Sequence, residues 1–274
     1  MNRPRLACLV IAALGFALPA DVHPQGVYSP HDQGLQIRGG ALILDAKTDL
    51  SVDGRVLKGS VISLEDDLGL PREPSIPYFE LAYGVAFRLH FGFMYSIREG
   101  DERQDGNTRF NGHIIGVAGD TLEGRSELLT ADFMLGSTIY RKSAIRVEVL
   151  TGGKFVHLKN RITTDNPTAN PRSSTDVVDV PAFYIGFGGH VLLSETLTFY
   201  ARYLYTQFAW DVFDVERFFY IDLTLGFTYM LVPGISVSVD YRLIRLEITE
   251  DNSGHESDYD LYANGVGITL LLSF

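Results

Sequence analysis

Apolar side chains recur at every second position in segment after segment of this chain. In residues 217–231, Phe219, Ile221, Leu223, Leu225, Phe227, Tyr229 and Leu231 alternate with Tyr220, Asp222, Thr224, Gly226 and Thr228. In 235–243, Ile235, Val237, Val239, Tyr241 and Leu243 alternate with Ser236, Ser238, Asp240 and Arg242. The last ten residues, GVGITLLLSF, carry Val266, Ile268, Leu270, Leu272 and Phe274 on one parity. A period of two places successive side chains on opposite faces of a strand. The same alternation predicts strands near 76–86, 89–98, 127–139, 144–157, 181–193 and 197–210, with a less regular first strand near 35–46.

That makes ten strands, joined alternately by short and long links. Short turns are expected near 86–89, 140–143, 194–196 and 232–234, and long polar links at 47–75, 99–125, 159–179, 211–216 and 250–257. This rhythm predicts an all-β fold: a transmembrane antiparallel up-and-down β-barrel of about ten strands, within a range of about 8–12. Closure follows because lipid cannot satisfy an open sheet edge. A soluble β-sandwich would turn its apolar faces inward, but the alternation of loop lengths argues against it. Tyr140, Tyr229 and Phe274 at one rim, and Tyr205, Trp210, Phe218 and Phe219 at the other, suit interfacial girdles.

The terminal alternation ending in Phe274 resembles the C-terminal signature of Gram-negative outer-membrane proteins, which implies handling by the barrel assembly machinery. The stretch ISLEDDLGLP, residues 62–71, sets Glu65, Asp66 and Asp67 between apolar residues. It is similar to a motif in a group of uncharacterised proteobacterial outer-membrane barrels, and that resemblance brings no activity with it. The expectation is a structured first loop folding over or into the barrel mouth; an acidic solvated loop is the competing reading.

With lipid outside, the opposite parity faces the lumen. It carries the acids Glu80, Asp132, Glu148, Asp222 and Asp240 and the bases Arg98, Arg146, Lys154, Arg202 and Arg242. Opposite charges are balanced. In a narrow barrel they must pair, because an unpaired buried charge is expensive. The alternative is a charge-lined channel, for which ten strands are few, since open aqueous channels take about 16.

Hydrophobic residues make up 46% of the chain, yet charged ones are 21%, and no uncharged run of about 20 residues exists to form a spanning helix. Arg3 and Arg5, the apolar run Leu6–Leu18 and Ala20 read as a signal peptide, residues 1–20. Residues 21–34 read as a flexible periplasmic lead-in, and 35–274 as the barrel. Cys8 is the only cysteine and lies in the signal, so no disulfide is expected. The formal charge of −11 carries no basic footprint for nucleic acid.

Barrel-enzyme machinery is sparse. His255 and Ser257 in GHESDYDLY form the one candidate nucleophile–base pair for a lipid hydrolase, in a stretch read as a loop. Nothing matches the acidic pair and Asp–His pair of outer-membrane aspartyl proteases. His90 and His190 point inward and His157 outward, without metal-ligand spacing. The chain is therefore expected to be a structural or interaction barrel with a salt-bridged, largely plugged interior. It is not expected to be an enzyme or to bind a metal or cofactor. A narrow channel for small polar solutes is the alternative, and an outer-membrane hydrolase the less favoured one. The expected setting is the outer membrane of a Gram-negative bacterium, as a monomer among lipid and lipopolysaccharide.

Overall fold

The computed structural model describes residues 34–53, 59–111, 113–142, 144–169, 171–208, 215–252 and 255–274. The signal peptide, most of the lead-in and Trp210 lie outside the described residues. Thirteen strands follow in chain order: β1 (Leu35–Val52), β2 (Ile62–Ser63), β3 (Ser75–Tyr83), β4 (Phe87–Arg103), β5 (Thr108–Phe110), β6 (His113–Gly116) and β7 (Thr121–Lys142). Then come β8 (Ile145–Thr164), β9 (Ser173–Leu192), β10 (Leu197–Phe208), β11 (Val215–Val232), β12 (Ile235–Asn252) and β13 (His255–Ser273). Ten of them form an up-and-down antiparallel ring in the order β1, β3, β4, β7, β8, β9, β10, β11, β12, β13. The ring closes where β13 pairs with β1 from Gln36↔Ser273 to Val52↔Ser257. Phe274 completes the seam: its N–H donates to the Leu35 carbonyl at 2.9 Å, and Leu35 returns a bond at 3.2 Å.

The expected alternation holds through the lower half of the wall. On β13, Val266, Ile268, Leu270 and Phe274 are exposed outward while Gly267, Thr269, Leu271 and Ser273 are buried. Phe79, Phe91, Phe93, Phe133, Phe155, Phe187 and Phe227 extend the outward apolar belt around the ring. From Tyr262 to Phe274, at about 3.3 Å per residue and a tilt of about 40°, that belt rises about 30 Å. A bulge between Thr138 and Tyr140 turns both Ile139 and Tyr140 outward at the lower rim.

Above the belt the lining inverts. Outward positions become charged, as in Asp258 and Asp260 on β13, Arg245 and Glu247 on β12, and Arg161 on β8. Inward positions become apolar, with Leu50, Leu122, Leu158, Ile162, Phe218, Leu246 and Ile248 all buried. One wall thus has two solvents: the lower part is apolar outside and polar inside, and the upper part follows the ordinary logic of a core in water.

This inversion corrects the expected bounds. The strands do not stop at the edge of the belt; β7 runs 22 residues. Residues 250–252 and 255–257 are strand rather than loop, because β12 and β13 pair up to Asn252↔His255. The links 99–125 and 159–179 are largely strand, since β4, β7, β8 and β9 extend into them. Phe218 is not a girdle residue: it is fully buried inside and stacks on Phe208 at 5.1 Å.

Candidate functional site

The inward charges expected from parity lie on the lumenal side, and six of the ten form one chain of contacts across it. Glu80 on β3 accepts from Arg202 Nη1 on β10 at 3.0 Å. Those two strands lie on opposite sides of the ring, so this ion pair spans the lumen. Glu80 also meets His90 Nδ1 at 3.1 Å and the Tyr78 hydroxyl. Tyr78 in turn lies under the Arg242 guanidinium, 5.3 Å from its ring centre. Arg242 donates through Nε to Asp222 Oδ1 at 3.0 Å and through Nη2 to Oδ2. Asp222 takes a further bond from the Tyr220 hydroxyl at 2.8 Å. Lys154 sits over the Tyr220 ring at 4.6 Å and pairs with Asp132 at 2.5 Å.

Three other members stand apart. Arg146 pairs with Glu148 at 2.5 Å and reaches the Val85 carbonyl at the lower turn, so it closes the floor. Asp240 has no arginine partner in the network; it accepts from the Tyr200 hydroxyl at 2.7 Å, and Arg38 lies over the Tyr200 ring at 4.8 Å.

Parity alone missed Arg38 and the tyrosines. A sequence signal for the latter existed. Tyr78, Tyr200 and Tyr220 each precede a lumenal charge by two residues, at Glu80, Arg202 and Asp222. Positions two apart share a strand face, so each ring stands beside its charge. Inward glycines make the space. A Cβ on Gly226 would lie 2.8 Å from the Tyr200 ring and 2.7 Å from Asp240 Cβ, and one on Gly92 would lie 3.2 Å from Asp132 Oδ2.

Arg98 does not join this girdle. It lies higher, buried, with Nη1 on Glu65 and Nη2 on Thr48 Oγ1 at 2.9 Å. Glu65 also accepts the Thr48 backbone N–H at 2.8 Å. The first loop therefore folds into the mouth, and its three acids have three different environments. Glu65 is buried, whereas Asp66 is exposed and pairs with Arg72. Asp67 accepts the Ser63 N–H at 2.8 Å. Leu64, Leu68 and Leu70 are buried in the upper core.

Gly100 and Gly124 face each other in the β4–β7 register and floor that loop. A Cβ on Gly100 would lie 2.3 Å from the Gly69 carbonyl, and one on Gly124 2.8 Å from Leu68 Cβ. Gly69 itself has φ of 63°, a region glycine adopts without strain. Beneath the loop, a cavity bordered by Leu44, Met94, Leu128 and Ile244 holds about 20 Å³, room for about one water.

Ser257 is buried and donates to Asp176 at 3.1 Å, and the His255 side chain lies outside the described residues. His157 faces outward as expected and meets Asp179 at 2.6 Å. Its outward neighbour across the β7–β8 pair is Leu129, and Pro181 lies below Asp179 on β9. Among the described residues no group of three or more His, Cys, Asp or Glu side chains is placed to hold a metal.

Above the belt, burial and environment tune several groups. Burial pushes the Tyr259 hydroxyl up to about 12. Partial burial, with Glu247 nearby, raises the Asp260 carboxyl above the usual range. The Asn166 side chain and the Val117 N–H hold Asp120 below that range. The hydrogen bond to Glu127 raises the Arg125 guanidinium.

No protein-family model and no curated protein matches the chain. Among solved structures, it is similar to the outer membrane protease OmpT from Escherichia coli. The TM-score is 0.59 at 10% identity, over 89% of this chain and 97% of that one. It also aligns with the translocator domain of the autotransporter NalP from Neisseria meningitidis, at TM-score 0.40 and 9% identity, over 93% of this chain and 90% of that one. At such identities the likeness speaks to fold alone, and of these two only the first is close enough in shape to carry weight. The chain has the fold of a closed ten-stranded outer-membrane barrel.

Proposed function

We propose that this chain is a monomeric integral barrel of the Gram-negative outer membrane, exported and inserted by the barrel assembly machinery, that serves as a closed structural or display barrel. Its outward belt meets lipid, its upper wall and loops stand in water, and it is neither a pore nor an enzyme. The observation that carries this reading is the Glu80–Arg202 pair, which bridges opposite sides of the lumen. The buried first loop adds a second closure above it. With charges paired across the bore and an apolar core over them, a hydrated path would have to break both. Function then resides on the outer surface, where the extended wall presents charge to the medium. The likeness of residues 64–70 to a group of uncharacterised barrels assigns no chemistry.

The test is single-molecule conductance of residues 21–274, refolded into a planar bilayer after folding is verified by the heat-dependent gel shift. Silence is expected. Discrete, reproducible steps would refute closure and favour the narrow polar channel, whose lining would be the girdle around Glu80, Arg202 and Asp222.

A further inference from the structure

The outer wall just above the belt is not uniform in charge. On β12, β13 and β1 it is acidic: Glu247 stands opposite Asp260, and Asp260 opposite Asp49. On β7 and β8 it is basic. Arg125 stands directly opposite Arg161, and Lys159 lies one outward step below Arg161. Like charges in directly opposed strand positions are destabilising. Arg125 is relieved by Glu99 at 2.6 Å and Glu127 at 2.8 Å. Lys159 and Arg161 have no acidic partner among the described residues; Arg161 Nε donates only to Ser173 Oγ, at 3.0 Å. Glu127 stands directly opposite Lys159 but is taken by Arg125, so in a chain with formal charge −11 these two adjacent cations are left without an ion pair of their own among the described residues.

Their surroundings say what would neutralise them. Arg125, Glu127, Lys159 and Arg161 line a shallow cleft of about 180 Å³. Phe155 lies one outward step below His157 and is exposed, and Val177 beside Lys159 is exposed too. A ligand here has Val177 and Phe155 beneath it, on either side of the His157–Asp179 pair, and above it two cations without an ion pair. We infer that the Lys159–Arg161 cleft holds the phosphate of a lipid headgroup in the outer leaflet, with acyl chains running down past Phe155. A guanidinium fork and an ammonium suit a phosphate through charge-assisted bonds, and attraction of basic side chains to anionic lipid is strongest at the membrane surface. Binding would be one-sided, because the opposite wall around Asp49, Asp258 and Asp260 repels the same group. The inference rests on the outer-membrane reading above.

The test uses residues 21–274 folded in micelles, with lipid A and its dephosphorylated form as probes and retained lipid counted by native mass spectrometry. Lipid A is expected to bind about tenfold tighter than the dephosphorylated form, the scale of one charge-assisted contact. Lys159→Gln/Arg161→Gln should erase that preference, while Arg217→Gln/Arg245→Gln, an equal charge change on β11 and β12, should keep it. Equal retention of the two lipids, or equal loss in both variants, overturns the inference. Displacement by inorganic phosphate as readily as by lipid A would assign the cleft to a free anion and overturn it as well. Failure to insert into phosphatidylcholine vesicles would sink the membrane reading itself; insertion without phosphate preference sinks only this one.

Discussion

Removing Arg242 alone should destabilise the barrel far more than removing an arginine from the outer wall. Arg242 is 3% exposed, bonds both oxygens of Asp222 and lies against Tyr78. In Arg242→Met the stem volume is kept and the charge is lost. Asp222, 1% exposed, is then a buried carboxylate without its cation. Breaking one half of a buried pair costs about 3–5 kcal/mol. The lower end applies here, because the Tyr220 hydroxyl, and more weakly Thr224 at 3.4 Å, still donate to Asp222. We therefore expect a loss of about 3 kcal/mol in urea unfolding from lipid vesicles. Arg103→Met, at an exposed position near the top of β4, should change stability by less than about 0.5 kcal/mol. The double variant Arg242→Met/Asp222→Leu removes the orphaned charge and should recover most of the loss. The reasoning fails if Arg242→Met and Arg103→Met unfold alike, or if the double variant is no better than the single one.

The three acids of the first loop should behave differently. Glu65→Ala orphans buried Arg98 and should cost about 3 kcal/mol, whereas Asp66→Ala, whose pair with Arg72 is exposed, should cost under about 1 kcal/mol in the same unfolding assay. Gly124→Val drives a side chain into Leu68 and Leu70; the first loop should become cleavable by added protease in the folded barrel, at a cost of about 1–3 kcal/mol. For Asp260 the folded value is raised, so its contribution is favourable below the unfolded carboxylate range and is lost as pH rises through the folded value. Asp260→Asn should therefore stabilise the barrel at neutral pH, with the advantage vanishing in acid; an advantage that persists below the carboxylate range would count against the assignment.

The barrel was legible because strand alternation is local. Residues two apart share a face whatever the rest of the chain does, so the ten strands, the outward run from Val266 to Phe274 and the lumenal set from Glu80 to Arg242 could all be read along the line. The tyrosines two positions before Glu80, Arg202 and Asp222 were equally local and went unread. The tertiary structure decided three other things. It chose partners: Glu80 meets Arg202 at a separation of 122 residues only because ring closure sets β3 opposite β10. It decided where the alternation changes meaning, since a period of two is identical whether lipid or water lies outside; only the height of a residue on the wall makes Leu246 a core residue and Leu270 a lipid-facing one. And it placed the first loop, because an acidic run between leucines reads the same in solvent as in a barrel mouth until Gly100, Gly124 and Arg98 are brought beneath it from strands far along the chain.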